Sequence, residues 1–353
     1  MTETISKTTQ RPRLAGAMPY RATLKRTVVS CGALMLLLVV VVVASSLIGS
    51  ESLPASATLC ALVSFGKSNC GLTSDQFAIL FQIRLPRILL AAAVGGSLAT
   101  AGASYQALLR NPLAEPYLLG ISNGAAVGTM TAMVFFGANE FSRPLLAFAG
   151  ALVATLAVYR LARGRAGATP ERLILAGVIV TTFLSSVIVF VTTMMDVTRI
   201  RSFTFWLLGD LSSTSEALLP IAIVIAVAGT VLLSANARSL NLLMLGERDA
   251  FDLGVEVGRV RITVFLIASL LVGSSVAASG SVGYVGLVVP HLVRLSLGSD
   301  NRLSIPAAAL GGALFVIVAD SFARTLIAPR ELPVGAITAL IGAPLFIYLL
   351  RRN

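Results

Sequence analysis

Residues 236–261 read NARSLNLLMLGERDAFDLGVEVGRVR, the longest charged interruption in the apolar second half of the chain. Leu242, Leu243, Leu245, Ala250, Leu253 and Val257 recur at roughly helical spacing, while Gly246, Gly254 and Gly258 cut the stretch into pieces. The pattern predicts two short helices joined by a glycine turn. Glu247, Arg248, Asp249, Asp252 and Glu256 crowd together here, and each charge would cost about 3 kcal/mol at the centre of a bilayer. The stretch therefore lies in water between two membrane crossings. It is either a solvated connection lying along the membrane surface or a docking surface for a soluble partner.

Around it, the 353-residue chain is 56% hydrophobic and 12% charged, with a mean hydropathy of +0.89. Those values exclude an ordinary soluble globular protein. The apolar runs are continuous and about 20 residues long, which selects membrane helices over the short alternating strands of a barrel. The net charge of +11 does not imply a nucleic-acid partner, because the basic residues are scattered between apolar runs rather than gathered in an aromatic-laced patch. Membrane lipid is the partner that this composition implies. A basic stretch within residues 11–26 precedes the apolar run 28–48, which is too long for the core of a secretory signal and reads as a first anchor. Residues 1–26 thus form a basic tail and 27–353 one polytopic membrane domain, with the charged stretch, about 240–258, as its soluble excursion.

Further crossings are predicted over 88–109, 117–137, 144–159, 173–195 and 217–235. Residues 49–83 form a loop with one short apolar helix and hold Cys60 and Cys70, whereas Cys31 lies in the anchor. The loop cysteines pair if their compartment is oxidising; their spacing alone leaves two free thiols equally open. In NPLAEP (111–116), Asn111, Pro112 and Pro116 mark a tight polar connection that ends one helix and opens another. Gly120, Gly124 and Gly128 lie four apart and give the next helix a bare packing face. Trp206, with Phe203 and Phe205, predicts a short helix at the membrane interface.

The uncharged run 262–293 is 32 residues long, too long for one crossing and short for two. Gly280, Gly283 and Gly286, with Pro290 beyond them, break it into a seventh and an eighth crossing. Residues 303–319 and 332–350 supply the ninth and tenth. Ten crossings with the N-terminus inside place 19 Lys and Arg on the inner side and 8 outside, whereas nine would give 17 and 10. The positive-inside rule favours ten. Both termini, NPLAEP and the opening stretch then face the cytoplasm.

Catalytic constellations are missing from the sequence. A single histidine, His291, excludes His-based metal clusters and His-dependent triads within the chain, and beside Pro290 it reads as structural. FGKS at 65–68 resembles the end of a phosphate-binding loop, but Ala61 stands where its first glycine belongs and no strand precedes it. Asp320 is the foremost membrane carboxylate. It lies near the outer end of its crossing, four residues from Arg324, as a structural ion pair would. No carboxylate is expected at mid-membrane, which argues against a proton-coupled carrier.

Several long motifs, in order, resemble the FecCD-type permeases of bacterial ABC importers for iron-siderophores, haem and vitamin B12. They are RLPR (84–87), QALLRNPLAEPYLLGISNGA (106–125), LGERDAFDLG (245–254), GSVGYVGLVVPHLVR (280–294), ADSFAR (319–324) and ELPVGAITALIGAPLF (331–346), spread over a resemblance that runs from about 84 to 351. The resemblance implies an all-α type II ABC importer permease: a homodimer of ten-helix subunits in the bacterial inner membrane, with the substrate path on the dimer axis. It further implies two cytoplasmic ATPase subunits, which hold the ATP and magnesium, and a periplasmic binding protein. The chain itself would bind no cofactor and hydrolyse nothing. Leu245, Gly246, Glu247, Ala250, Leu253 and Gly254 would couple it to the ATPase. Arg84, Arg87 and Arg324 would face acidic residues of the binding protein, while Asn111, Pro112, Pro116, Gly124, Pro290 and His291 are structural marks of the motifs. Ferric siderophore is the expected cargo, with haem or vitamin B12 as alternatives. A proton-driven siderophore exporter is the competing class.

Overall fold

The computed structural model describes residues 24–49, 51–136, 141–164, 167–212, 218–328 and 330–352. Only the last three residues of the predicted basic tail fall among these, as the first turn of a helix. In chain order the helices are α1 (Leu24–Leu47), α2 (Ala55–Val63), α3 (Ser74–Ala78), α4 (Leu85–Leu108), α5 (Ile121–Phe135), α6 (Ser142–Ala162), α7 (Pro170–Thr192), α8 (Val197–Leu207), α9 (Leu218–Ala235), α10 (Ala237–Leu245), α11 (Glu247–Asp252), α12 (Val257–Ser279), α13 (Val285–Leu297), α14 (Asn301–Thr325) and α15 (Val334–Arg352). A π-helical stretch, Ile79–Arg84, runs α3 into α4 without a break. A 3-10 turn, Pro116–Leu119, precedes α5, and two two-residue strands, Arg163–Gly164 and Gly167–Ala168, pair between α6 and α7.

Among the described residues seven helices are long and apolar enough to cross a membrane, and three more apolar ones are shorter. The shorter three are α5, α13 and Val334–Leu349 of α15, so the ten predicted crossings each have a helix. The split of the 32-residue run is where the glycines placed it. Chain crossing is completed there differently from expectation, because 280–284 is not helical and α13 is only 13 residues long.

α4 is the central post. It packs along α14, α12, α13 and α9, and its residues from Ile88 to Leu108 are almost wholly buried. Small residues let backbones meet. A Cβ at Gly95 would strike the Gly312 carbonyl and one at Gly312 the Gly95 carbonyl, and Gly102 faces the Gly286 carbonyl in the same way. Of the predicted bare stripe, Gly124 and Gly128 lie against the backbone of α6 at Gly150 and Leu146. Gly120 does something else: with φ 74 it caps the start of α5. Gly102→Ala is therefore expected to force α4 and α13 apart and to lower the detergent-solubilised chain's thermal midpoint, at a cost of about 1 to 3 kcal/mol. Unaltered melting would show that these helices have room to separate.

Two expectations are corrected here. The loop 49–83 carries two short helices, not one, and the helical path into α4 starts at Ser74. α8 forms as predicted, but Trp206 and Phe203 point inward and are buried, with the Trp206 carbonyl against Gly280. Only Phe205 faces outward. The aromatic cluster thus seals the turn at 279–281 instead of anchoring an interface.

Candidate functional site

The opening stretch folds as two short helices, α10 and α11, hinged at Gly246, whose φ of 146 no L-residue adopts comfortably. Leu240, Leu243 and Ala250 are buried on one side. On the other, Leu245, Phe251 and Leu253 stand 66%, 70% and 61% exposed among charged neighbours. Phe251 was not singled out in the sequence, although an aromatic flanked by charges on a soluble excursion is an available signal. Gly254 closes α11 at φ 83 with nothing near its absent Cβ. Its constraint is conformational, since proline is locked near −65° and could not stand there.

Behind this face the segment is tied to the ends of several helices. Glu247 pairs with Arg261 of α12, and its carboxylate lies 4.0 Å from Arg110 after α4. Arg261, buried to 7% exposure, also donates to the Ala168 carbonyl of the α6–α7 hairpin. Asn241 donates to Asp300 at 2.7 Å and accepts the Asn301 backbone N–H at 2.9 Å, at the start of α14. A force on α10–α11 thus reaches α12, the α6–α7 hairpin and α14 through partly buried polar contacts, and the end of α4 through a looser, half-exposed ion pair.

At the opposite end of the bundle the three arginines expected to await a partner are already engaged. Arg84, Arg87 and Arg324 are 4%, 8% and 6% exposed. Arg87 donates to Asp320 at 2.9 Å and to Glu331 at 2.7 Å. Arg324 pairs with Asp320 at 3.0 Å and donates to Ser45 of α1, and Arg84 donates to the carbonyls of Ser46 and Glu51. The expectation of free, exposed guanidinium groups is therefore corrected. Counting charges assigns a side of the membrane but not a burial, and here two carboxylates neutralise Arg87 and Arg324. The Asp320–Arg324 ion pair stands as read from the sequence, with Arg87 as its unforeseen third member.

Cys60 and Cys70 form a disulfide with Cα atoms 5.8 Å apart. It closes the FGKS turn, in which Phe65 and Gly66 both have positive φ, above a small cluster of Leu53, Ala61, Leu72 and Leu80. Alkylating the unfolded, unreduced chain is expected to label Cys31 alone, the one free cysteine. Cys60→Ser should destabilise the loop by about 2 to 3 kcal/mol, read as faster proteolysis between α1 and α4. Labelling of all three thiols without reductant would refute the bridge.

The remaining motif residues cluster around an interruption that the sequence did not reveal. Asn111 accepts the Leu113 N–H at 2.9 Å, holding Pro112 in a turn at the α10–α11 end. The chain then climbs back into the bundle. Pro116 lies against Gly286, which itself abuts Leu98 and Gly102 near the middle of α4, and Gly120 abuts Val180 and Thr181 near the middle of α7. NPLAEP is thus not wholly a surface connection, since only its first half is at the surface. Glu115 is carried to mid-depth, where it accepts the Tyr284 N–H at 3.2 Å. The expectation that no carboxylate sits there is overturned. Pro290 lies inside α13 and is buried, and His291 packs edge-on to Phe346 at 6.1 Å. Among the described residues no group of three or more His, Cys, Asp or Glu side chains is placed to hold a metal ion.

Comparison with known proteins matches residues 37–352 to the FecCD transport family. The chain is 39% identical over 313 residues to the hemin transport system permease protein of Yersinia pestis, covering 84% of this chain and 93% of that one. It is 42% identical over 285 residues to the cobalamin import system permease protein of Halobacterium salinarum, covering 80% and 75%. Among solved structures, a metal-chelate type ABC transporter in an inward-facing conformation superposes with a TM-score of 0.80 at 32% identity, covering 93% of this chain and all of that one.

Proposed function

The chain belongs to the FecCD transport family of ABC importer permeases, and on that ground we propose that it carries a metal chelate inward across the cytoplasmic membrane as one half of a homodimer. Two soluble ATPase subunits, holding ATP and magnesium, dock on the α10–α11 end, and a binding protein delivers cargo at the disulfide end. Both termini and α10–α11 are cytoplasmic in this reading, in line with the charge count. No bond of the cargo need change. The permease opens alternately to either side, and nucleotide drives it by favouring one state over the other.

The observation that carries this reading is the exposed apolar triad Leu245, Phe251 and Leu253 on a segment tied by its polar side chains to α12, to the α6–α7 hairpin and to the start of α14. A solvated connection has no use for that combination. A lever pressed by a partner has use for both halves of it.

The relatives' names turn the cargo toward metal tetrapyrroles, haem or a cobalamin, ahead of the ferric siderophore. Uptake of labelled haemin, cyanocobalamin and a ferric siderophore by a strain lacking the gene, with and without complementation, tests the choice. Selective loss of one tetrapyrrole is the expected result. Selective loss of the siderophore would restore the other cargo, and unchanged uptake of all three would reject the reading.

A further inference from the structure

Two membrane crossings in this fold are interrupted, and their interruptions meet. After α4 the chain turns at 109–114 and re-enters, so that α5 begins at mid-depth beside the centre of α7. After α12 the segment 280–284 descends without helical structure, and α13 begins at mid-depth beside the centre of α4. Non-helical backbone away from water leaves polar groups that must find partners inside the protein. Here they find each other. The Glu115 carboxylate accepts the Tyr284 N–H at 3.2 Å, and the Tyr117 hydroxyl both accepts the Val282 N–H and donates to the Val282 carbonyl, each at 3.0 Å.

Nothing local requires this arrangement. Tyr284 is held at φ 67, a left-handed conformation unfavourable for an aromatic residue, and its amide is spent on a carboxylate 169 positions away. None of the ion pairs found among the described residues includes Glu115. What faces it instead is the N-terminal end of α13, whose partial positive charge offsets an anion.

The position of this junction gives it a use. On one side its chain leads back through Arg110 to Glu247 of the α10–α11 segment. On the other, 279–281 is bonded to the far end of the bundle: the Asp210 N–H donates to the Ser279 carbonyl at 2.8 Å, and the Val334 N–H donates to Gly209 at 3.1 Å. We propose that Glu115 and Tyr117 are positioning residues that clamp the two interrupted crossings into one rigid crosspiece, so that movement of the α10–α11 segment is transmitted to the turn at 279–281 on the opposite face. The proposal rests on the ABC importer reading, because it needs a partner that moves the segment.

The test uses the assembled transporter in proteoliposomes, with Cys31→Ser and an exposed reporter, Ser212→Cys, beside Asp210 at the far end. Maleimide labelling of the reporter is timed without nucleotide and after trapping with ATP and vanadate, alongside ATP hydrolysis. In the otherwise wild-type background the labelling rate should change on trapping. Glu115→Ala, which removes one hydrogen bond of ordinary strength, should shrink that change about fivefold, and Tyr117→Phe, which removes two, at least as much, while hydrolysis stays within about twofold. Glu115→Gln, which keeps an acceptor for the Tyr284 amide, should restore most of the response. If Glu115→Ala fails to assemble, Tyr117→Phe, which loses one oxygen, carries the test. Full transmission in Tyr117→Phe, or a Gln variant as defective as Ala, would overturn the clamp. A reporter that ignores nucleotide in the wild-type background would overturn the importer reading instead.

Discussion

Glu247→Lys is expected to abolish ATP-driven uptake while leaving the bundle in the membrane. Its carboxylate is the counter-ion of Arg261, which is buried and simultaneously holds the Ala168 carbonyl, and Arg110 lies 4.0 Å away on the same oxygen. Lysine would set a third positive charge against two guanidinium groups and leave a buried one unpaired. Breaking such a pair costs about 3 kcal/mol, the lower end of the usual range because solvent reaches Glu247. If all of it opposed the coupled conformation, transport would fall about 100-fold. The α10–α11 segment should lose its hold on α12 and on the α6–α7 hairpin, and the ATPase should either detach or hydrolyse without transport. Co-purification of the ATPase and uptake per ATP hydrolysed measure the two alternatives. Wild-type values for both would reduce the segment to a connection. Gly254→Pro should act similarly through the backbone, since φ 83 is closed to proline.

The second large effect lies at the opposite end. Asp320→Ala should lower the thermal midpoint of the purified chain sharply, because Asp320 alone bridges Arg87 and Arg324, both deeply buried. Removing one member of a buried ionic network strands the others, at about 3 to 5 kcal/mol. Arg87 retains Glu331, so most of the loss falls on Arg324. The double variant Asp320→Ala with Arg324→Ala should accordingly be more stable than Asp320→Ala alone, a non-additivity that a thermal unfolding cycle reads directly. Equal or greater damage in the double variant would mean that the network is held by packing and not by charge.

The path of the chain was legible wherever one local feature decides it. Uncharged length set the crossings, and the glycines at 280, 283 and 286 broke the long run where α12 ends. Likewise, the charges and glycines of 245–254 gave two helices hinged at Gly246. Illegible features depend on residues distant in sequence. A polar hexapeptide such as NPLAEP reads as water-exposed, yet Glu115 is drawn inside by an amide that comes from the other interrupted crossing. The arginines were assigned to one face by counting, but their burial depends on Asp320 and Glu331 folding against Arg87 across more than 200 positions. The cysteines' spacing allowed a bridge without requiring one, and the turn through Phe65 and Gly66 is what brings them together. Within the candidate coupling face, hydrophobic periodicity picked out buried Leu243 and Ala250 together with exposed Leu245 and Leu253, and passed over Phe251, whose exposure only the fold reveals.

If this permease moves a metal chelate inward at the expense of ATP hydrolysed by a partner, the reconstituted transporter should show it. Proteoliposomes containing the permease dimer, its ATPase and ATP on the cytoplasmic side, with loaded binding protein on the other, should accumulate haemin or cyanocobalamin. Accumulation should stop when ATP is replaced by a non-hydrolysable analogue. Transport that persists without ATP and follows an imposed proton gradient would instead place the chain among ion-driven carriers.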